Sequence, residues 1–331
     1  MHTFAKSFAR LRRGFTLVEL ITAMAITSIL VLLIMQLTKQ SVALWKVIQQ
    51  DTSSASAARI ALQTMSRDLE SFQVRTGANE TQWLYAEVDG AMRGMPKGLS
   101  IPKSARLIFF TCAPDRNPAI GAESSARDSY RDVLANDLDT QGDVSAVGYR
   151  LMYRDQVLNL PNRNGDRTIF PLFSLYRQVL TPRETFDYML GRNDLKDAYT
   201  RYESTEEKNF LCENIVELSL IIHVEYADEN ASSSSNDRIL YQSISIPILA
   251  SSARQGQQRF RLYSNRALSQ SREMQNARIV SAEMAITVLT EEGVALIEQV
   301  RLGQRRAPKL EEFFSRYTHS FSRTVSLPVP L

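Results

Sequence analysis

Hydrophobic and polar positions divide the chain sharply near its start. From Phe15 to Leu37, about 23 residues run with no charge other than Glu19. As a helix at 1.5 Å per residue this run is about 34 Å long, enough to cross the hydrocarbon core of a bilayer. Beyond it, Trp45, Ile48, Ala55, Ile60, Leu62, Met65, Leu69 and Phe72 recur at spacings near three and four, the period of an amphipathic helix. No proline occurs from Phe15 to Met95. The pattern therefore predicts one long helix from about Phe15 to Ser71. Residues 15–37 form its transmembrane half and 38–72 its amphipathic half. Leu62, Met65, Leu69 and Phe72 form a stripe that packs on a sheet, with Lys39, Lys46, Asp51, Arg59, Arg67 and Asp68 largely on the other faces.

The remainder reads as β-rich. Arg106–Cys112 is a compact apolar run of strand length. Val144–Tyr153 alternates, with Val147, Tyr149, Leu151 and Tyr153 on one side. The turn signal Asn162–Asp166, with Asn-Gly at its centre, joins it to a strand over Ile169–Arg177. Strong strands follow at Ile215–Tyr226 and Ile239–Ile248, linked by the serine-rich Asp228–Asp237. Ala277–Thr290 is the last strand expected. Thr290-Glu291-Glu292 then opens a short helix to about Leu302, with acids in its first turn. The fold class is α+β, a long N-terminal helix packed on an antiparallel, β-rich domain over 73–304. Residues 305–331 read as a C-terminal tail, with one or two helical turns over Pro308–Phe314 and Arg305-Arg306 as a solvated linker.

Charge refines the picture. The leader, residues 1–14, holds Lys6, Arg10, Arg12 and Arg13 and no acid. Basic residues stay on the cytoplasmic side, so everything after about Lys39 lies outside. Without the leader, Lys+Arg falls from 39 to 35 against 36 acidic residues, and the net charge from +3 to −1. That balance lacks the basic face expected of a nucleic-acid binder. A hydrophobic content of 44% supports a real core. Glu19 is the anomaly: a charge within a membrane span costs roughly 2.5–3.5 kcal/mol on insertion scales. A secretory signal peptide has a shorter apolar run and a small-residue cleavage site, which Leu33–Leu37 does not offer. An ordinary signal anchor fits the length but explains neither Gly14 nor Glu19.

Candidate chemistry elsewhere is sparse. His2, His223 and His319 show no metal-ligand spacing, and no phosphate-binding loop or nucleophile elbow is present. Asn162, Asn164 and Asp166 alternate like calcium ligands, but no glutamate closes the loop. No cofactor and no metal are expected. Cys112 and Cys212 face an oxidising compartment and either bridge or remain separate thiols. A bridge would close a loop of about 100 residues, worth up to roughly 4.7 kcal/mol in the chain-entropy model.

Gly14-Phe15-Thr16-Leu17-Val18-Glu19 resembles the type III signal of type IV pilins and type II secretion pseudopilins. The resemblance implies cleavage by a prepilin peptidase between Gly14 and Phe15, N-methylation of Phe15, and filament assembly through Glu19. In a filament, Glu19 of one subunit can neutralise the Phe15 amine of a neighbour, which removes the cost of burying either charge alone. Ala58–Leu69 is similar to the end of the spine helix of J-type minor pseudopilins and W-type minor pilins. Val147–Leu151, Ser174–Arg177 and Asn214–Leu218 resemble their strands. The long segments Ala113–Asp143 and Arg183–Leu211 depart from the J type. The length and the Thr290 helix resemble the protein C class of verrucomicrobial cassettes. Glu19 argues against the K-type tip subunit, which usually lacks it.

The resemblance implies a minor pilin or pseudopilin without catalytic activity. It would be a single-pass inner-membrane protein with a periplasmic domain, later part of a pilus or pseudopilus. Its partners would be the prepilin peptidase, other pilins or pseudopilins, the inner-membrane assembly platform and the lipid bilayer, with no nucleic acid. The alternatives are a bitopic membrane-anchored periplasmic enzyme or binding protein, and a DNA-uptake pseudopilin. Convergent titrating groups in a pocket would favour the first, and an exposed basic stripe the second.

Overall fold

The computed structural model describes residues 16–75, 80–89, 95, 104–112, 143–161, 167–204, 207–227, 241–249, 259–269 and 272–328. The chain divides into two compact units, Met1–Asp51 and Thr52–Leu331. A single helix, α1, runs from Leu17 to Glu70, close to the expected bounds.

In the second unit α1 buries Ala58, Ala61, Leu62, Met65 and Leu69, and Phe72 just beyond it is buried too. The stripe expected from Leu62 to Phe72 is present, but Ile60 is 55% exposed. The two alanines continue the face, because small side chains let the helix approach the sheet closely. Asp68, expected off the packing face, is buried within it.

Thirteen strands lie among the described residues: β1 (Gln82–Val88), β2 (Ala105–Thr111), β3 (Ser145–Asp155), β4 (Leu160–Pro161), β5 (Leu172–Val179), β6 (Phe210–Glu213), β7 (Ile215–Ala227), β8 (Tyr241–Ile248), β9 (Arg259–Tyr263), β10 (Arg266–Ser269), β11 (Arg272–Gln275), β12 (Arg278–Leu289) and β13 (Thr318–Ser326). They form two sheets. The first runs β11-β10-β9-β1-β2-β3-β5-β6, with β4 beside β3. The second runs β13-β12-β7-β8. The paired strands are antiparallel throughout, so the α+β expectation holds. One continuous core takes in the α1 face and residues of both sheets. Ser104 helps to join them, its hydroxyl accepting from the Leu218 N–H at 2.9 Å.

The strands read from alternation are all present. In β3, Val147, Tyr149, Leu151 and Tyr153 are buried as predicted. The Asn162–Asp166 turn, the Asp228–Asp237 link and residues 113–142 lie outside the described residues. Other elements were not anticipated. β1 is buried along all seven positions, so no alternation marks it. After the predicted helix Glu291–Arg301, capped by Thr290, the helical turns expected over Pro308–Phe314 are present and run on to Tyr317, but residues 305–328 are no tail. They supply helix Leu310–Tyr317 and then β13, which pairs with β12 over nine positions. Phe313 and Tyr317 fill a second, smaller core with Tyr153, Phe173, Leu289 and Ile297.

Segment 181–204, part of the long insertion seen in the sequence, covers one face of the first sheet. Its helix Leu195–Thr200 buries Leu195 and Tyr199. The Tyr199 hydroxyl donates to the Gln178 carbonyl at 2.7 Å. The ring lies where a side chain on Gly148 would have to go, 2.5 Å from the position of its Cβ. Gly148→Ala is therefore expected to lower stability by roughly 1–3 kcal/mol, the usual range for overpacking. Urea unfolding of the detergent-solubilised chain, followed by tyrosine fluorescence, measures it.

Candidate functional site: the apolar helix and its anchor

The first residues of α1 carry a local stop-and-start chemistry. Thr16 precedes the helix, and its hydroxyl accepts from the Glu19 N–H at 3.3 Å. Its carbonyl accepts from the Leu20 N–H at 3.1 Å. Thr-x-x-Glu is the spacing of a capping box, and the Thr16 half of it is formed. Glu19 is exposed in the first turn, where the positive end of the helix dipole favours a carboxylate. Gly14 and Phe15 lie outside the described residues.

From Leu17 to Trp45 the helix is long and apolar enough to cross a membrane, and none of that span is buried. Four of its hydroxyls bond back to the helix backbone. The hydroxyls of Thr22, Thr27, Ser28 and Thr38 donate back to the carbonyls of Val18, Ala23, Met24 and Ile34 at 2.7–3.0 Å. Such back-bonding pairs these four hydroxyls, which a lipid environment would otherwise penalise. Glu19 is the one carboxylate in the span.

At the other end, α1 is pinned to the first sheet by a buried polar cluster. Arg177 on β5 grips Asp68 in bidentate fashion, Nε to Oδ2 at 2.7 Å and Nη2 to Oδ1 at 2.8 Å. The Tyr149 hydroxyl on β3 donates to Asp68 Oδ2 at 2.5 Å. Tyr149 and Arg177 are cross-strand partners, so the antiparallel register itself aims both at the helix. Burial first, then the Asp68 carboxylate, hold the Tyr149 phenol well above its ordinary pKa, with Arg177 opposing. The group stays a hydrogen-bond donor at any working pH. Thr111 adds a bond from its hydroxyl to the Asp68 carbonyl at 2.7 Å. Just after the helix, the Cys112 N–H donates to the Ser71 carbonyl at 3.0 Å.

The candidate disulfide is not made. Cys112 follows β2 and Cys212 lies in β6, with β3 and β5 between them. At about 4.8 Å per strand that is roughly 14 Å, whereas a disulfide needs Cα atoms within about 7 Å. Burial, with a smaller push from Glu213, raises the Cys212 thiol to about 12. His223 is hydrogen-bonded through Nδ1 to the Ser245 hydroxyl at 2.8 Å.

Residues 9–35 match the family described as the prokaryotic N-terminal methylation motif. The match covers the last six residues of the leader, including Gly14, then Phe15, Glu19 and most of the apolar span, and it supports a type IV prepilin-like protein. No curated protein matches the chain, and no solved structure matches it.

Two outcomes follow from the anchor and the thiols. Asp68→Ala removes the carboxylate shared by Arg177 and Tyr149 and is expected to cost roughly 3–5 kcal/mol. Asp197→Ala, which removes an Arg201 pair 67% and 73% exposed, should cost about 0–1 kcal/mol; urea midpoints of the two variants make the comparison. Iodoacetamide at pH 8 should leave Cys212 unmodified in the folded chain and label it after denaturation, because only the thiolate reacts.

Proposed function

We propose that this chain is a minor pilin or pseudopilin subunit that works by assembly and recognition, without catalysis. A prepilin peptidase cleaves between Gly14 and Phe15 and methylates the new N-terminus. The apolar half of α1 holds the subunit in the inner membrane and then packs into a filament core. The β-rich domain faces the periplasm and meets other subunits or cargo.

The observation that carries this reading is the match of residues 9–35 to the methylation motif, on a helix whose span Leu17–Trp45 is apolar and unburied. An ordinary anchor needs no carboxylate in its first turn. In a filament, Glu19 meets the Phe15 amine of an adjacent subunit, and each charge offsets the desolvation of the other. The mature net charge of −1 weighs against a DNA-uptake role, since binding to nucleic acid draws on a basic surface.

Glu19→Ala separates processing from packing. The variant should still be cleaved, yet its share in a sheared, pelleted filament fraction should drop by roughly tenfold or more, as expected when a buried charge loses its partner. Incorporation equal to that of the unaltered chain would contradict a packing role for Glu19.

A further inference from the structure

One end of the folded unit leaves a group of apolar side chains in solvent. Between β3 and β4 the chain turns at Gln156–Asn159. Val157 is 92% exposed and Phe170 66%, and Leu158 and Leu160 are exposed beside them. Asp155 holds this group together. Its carboxylate accepts from the N–H groups of Val157, Leu158 and Phe170 at 2.9, 3.0 and 2.7 Å. Asn159 takes a left-handed backbone, φ 52°, and Arg154 Nη2 donates to its carbonyl. The tip is therefore a built feature. Grouped apolar side chains on a surface mark an interaction site, whereas single scattered ones do not.

Cations gather at the same place. Arg154 stands beside the turn, and Arg167, three residues before Phe170, is exposed. Phe170 also lines a cleft with Ile297 and Glu298 of helix Glu291–Arg301, and Arg301 Nη2 donates to the Ile169 carbonyl at 3.0 Å. The end of that helix therefore adjoins the tip. There the N–H groups of Gln304 and Arg305 fold back onto the Gln299 carbonyl at 2.8 and 3.3 Å, and Arg305 and Arg306 are exposed. The acids that these contacts bring in are already engaged. Asp155 accepts from three N–H groups, and Glu298 accepts from Arg301 at 2.6 and 2.7 Å. Arg154, Arg167, Arg305 and Arg306 thus flank an apolar tip, in a chain whose net charge without the leader is −1.

We propose that this tip docks on the surface of an anionic lipid bilayer. Val157, Leu158, Leu160 and Phe170 enter the boundary between headgroups and acyl chains, and the arginines meet lipid phosphates. Binding to a membrane surface grows with the apolar area buried and with the attraction of basic residues to anionic lipid. This tip offers both. A protein partner would need an apolar seat with acids placed to match the arginines, whereas an anionic bilayer presents both over its whole surface. The apolar span of α1 keeps such a surface at hand. Access to a bilayer rests on the anchor reading, and filament assembly plays no part in it.

The test uses the full chain reconstituted into vesicles, with the photo-crosslinker p-benzoylphenylalanine in place of Val157 and mass spectrometry of the peptide that carries it. Light should attach a phospholipid at position 157. The yield should be roughly fivefold higher or more in vesicles of equal parts phosphatidylcholine and phosphatidylglycerol than in phosphatidylcholine alone. Phe170→Ser should lower it. Arg305→Ser combined with Arg306→Ser should lower it roughly fivefold or more, the effect of taking cations from an anionic surface. The same crosslinker in place of Tyr241 should take up no lipid, because Tyr241 pairs with Ala227 at the opposite end of β7 from Asn214, a residue of the Phe170 cleft. Equal yields in the two kinds of vesicle, or no lipid at position 157, would overturn the proposal. So would a crosslinked dimer in place of the lipid adduct, which would seat a second copy of the chain on the tip. Resistance of the chain to carbonate extraction from the same vesicles reports on the anchor, so the two readings fail separately.

Discussion

The buried grip of Arg177 and Tyr149 on Asp68 is the constraint around which the folded unit is arranged. A carboxylate on a helix face that otherwise buries Ala61, Leu62, Met65 and Leu69 tolerates one register only. Shifting α1 by a turn would take the buried Asp68 carboxylate away from Arg177 and Tyr149, at a cost of several kcal/mol. Apolar packing alone is far less selective, since a stripe of similar side chains fits a sheet in more than one way. The cluster therefore fixes the helix along its length, and the β3–β5 pairing fixes the cluster.

Much of this was legible in the sequence, and the limits have physical causes. Strands with one buried face announce themselves by alternation, and β3, β7 and β8 do so. β1 is buried on both faces, and its Gln82 and Glu87 look like loop residues until their partners are known: the Leu195 N–H for Gln82, the Tyr85 hydroxyl and Lys196 for Glu87. Asp68 was misplaced because a charge reads as solvent-facing when its partner is 109 residues away. Its place three and four residues from Met65 and Phe72 is the signal that puts it on the packing face. The C-terminal helix and β13 fall in a polar stretch with few apolar residues. Phe313, Phe314, Tyr317, Phe321, Val325 and Leu327 mark them only sparsely among polar residues, and β13 is an edge strand with little to bury.

The functional signal lies almost wholly before Leu37, whereas the fold lies after it. That separation follows from two different solvents. The span from Leu17 to Trp45 is apolar all round, which suits lipid or a filament interior. From Ala58 onward one face is buried and the other is polar, as a helix on a water-exposed domain requires. Within the first segment, a local hydroxyl bond satisfies each of Thr22, Thr27, Ser28 and Thr38, and Glu19 stands exposed in the first turn.

The most direct measurement is mass spectrometry of the mature N-terminus, in membranes with and without an active prepilin peptidase. A chain that begins at N-methylated Phe15, and only where the peptidase is active, is the expected result. An uncleaved start at Met1 in both membranes would contradict the prepilin reading and leave the apolar helix as a plain anchor.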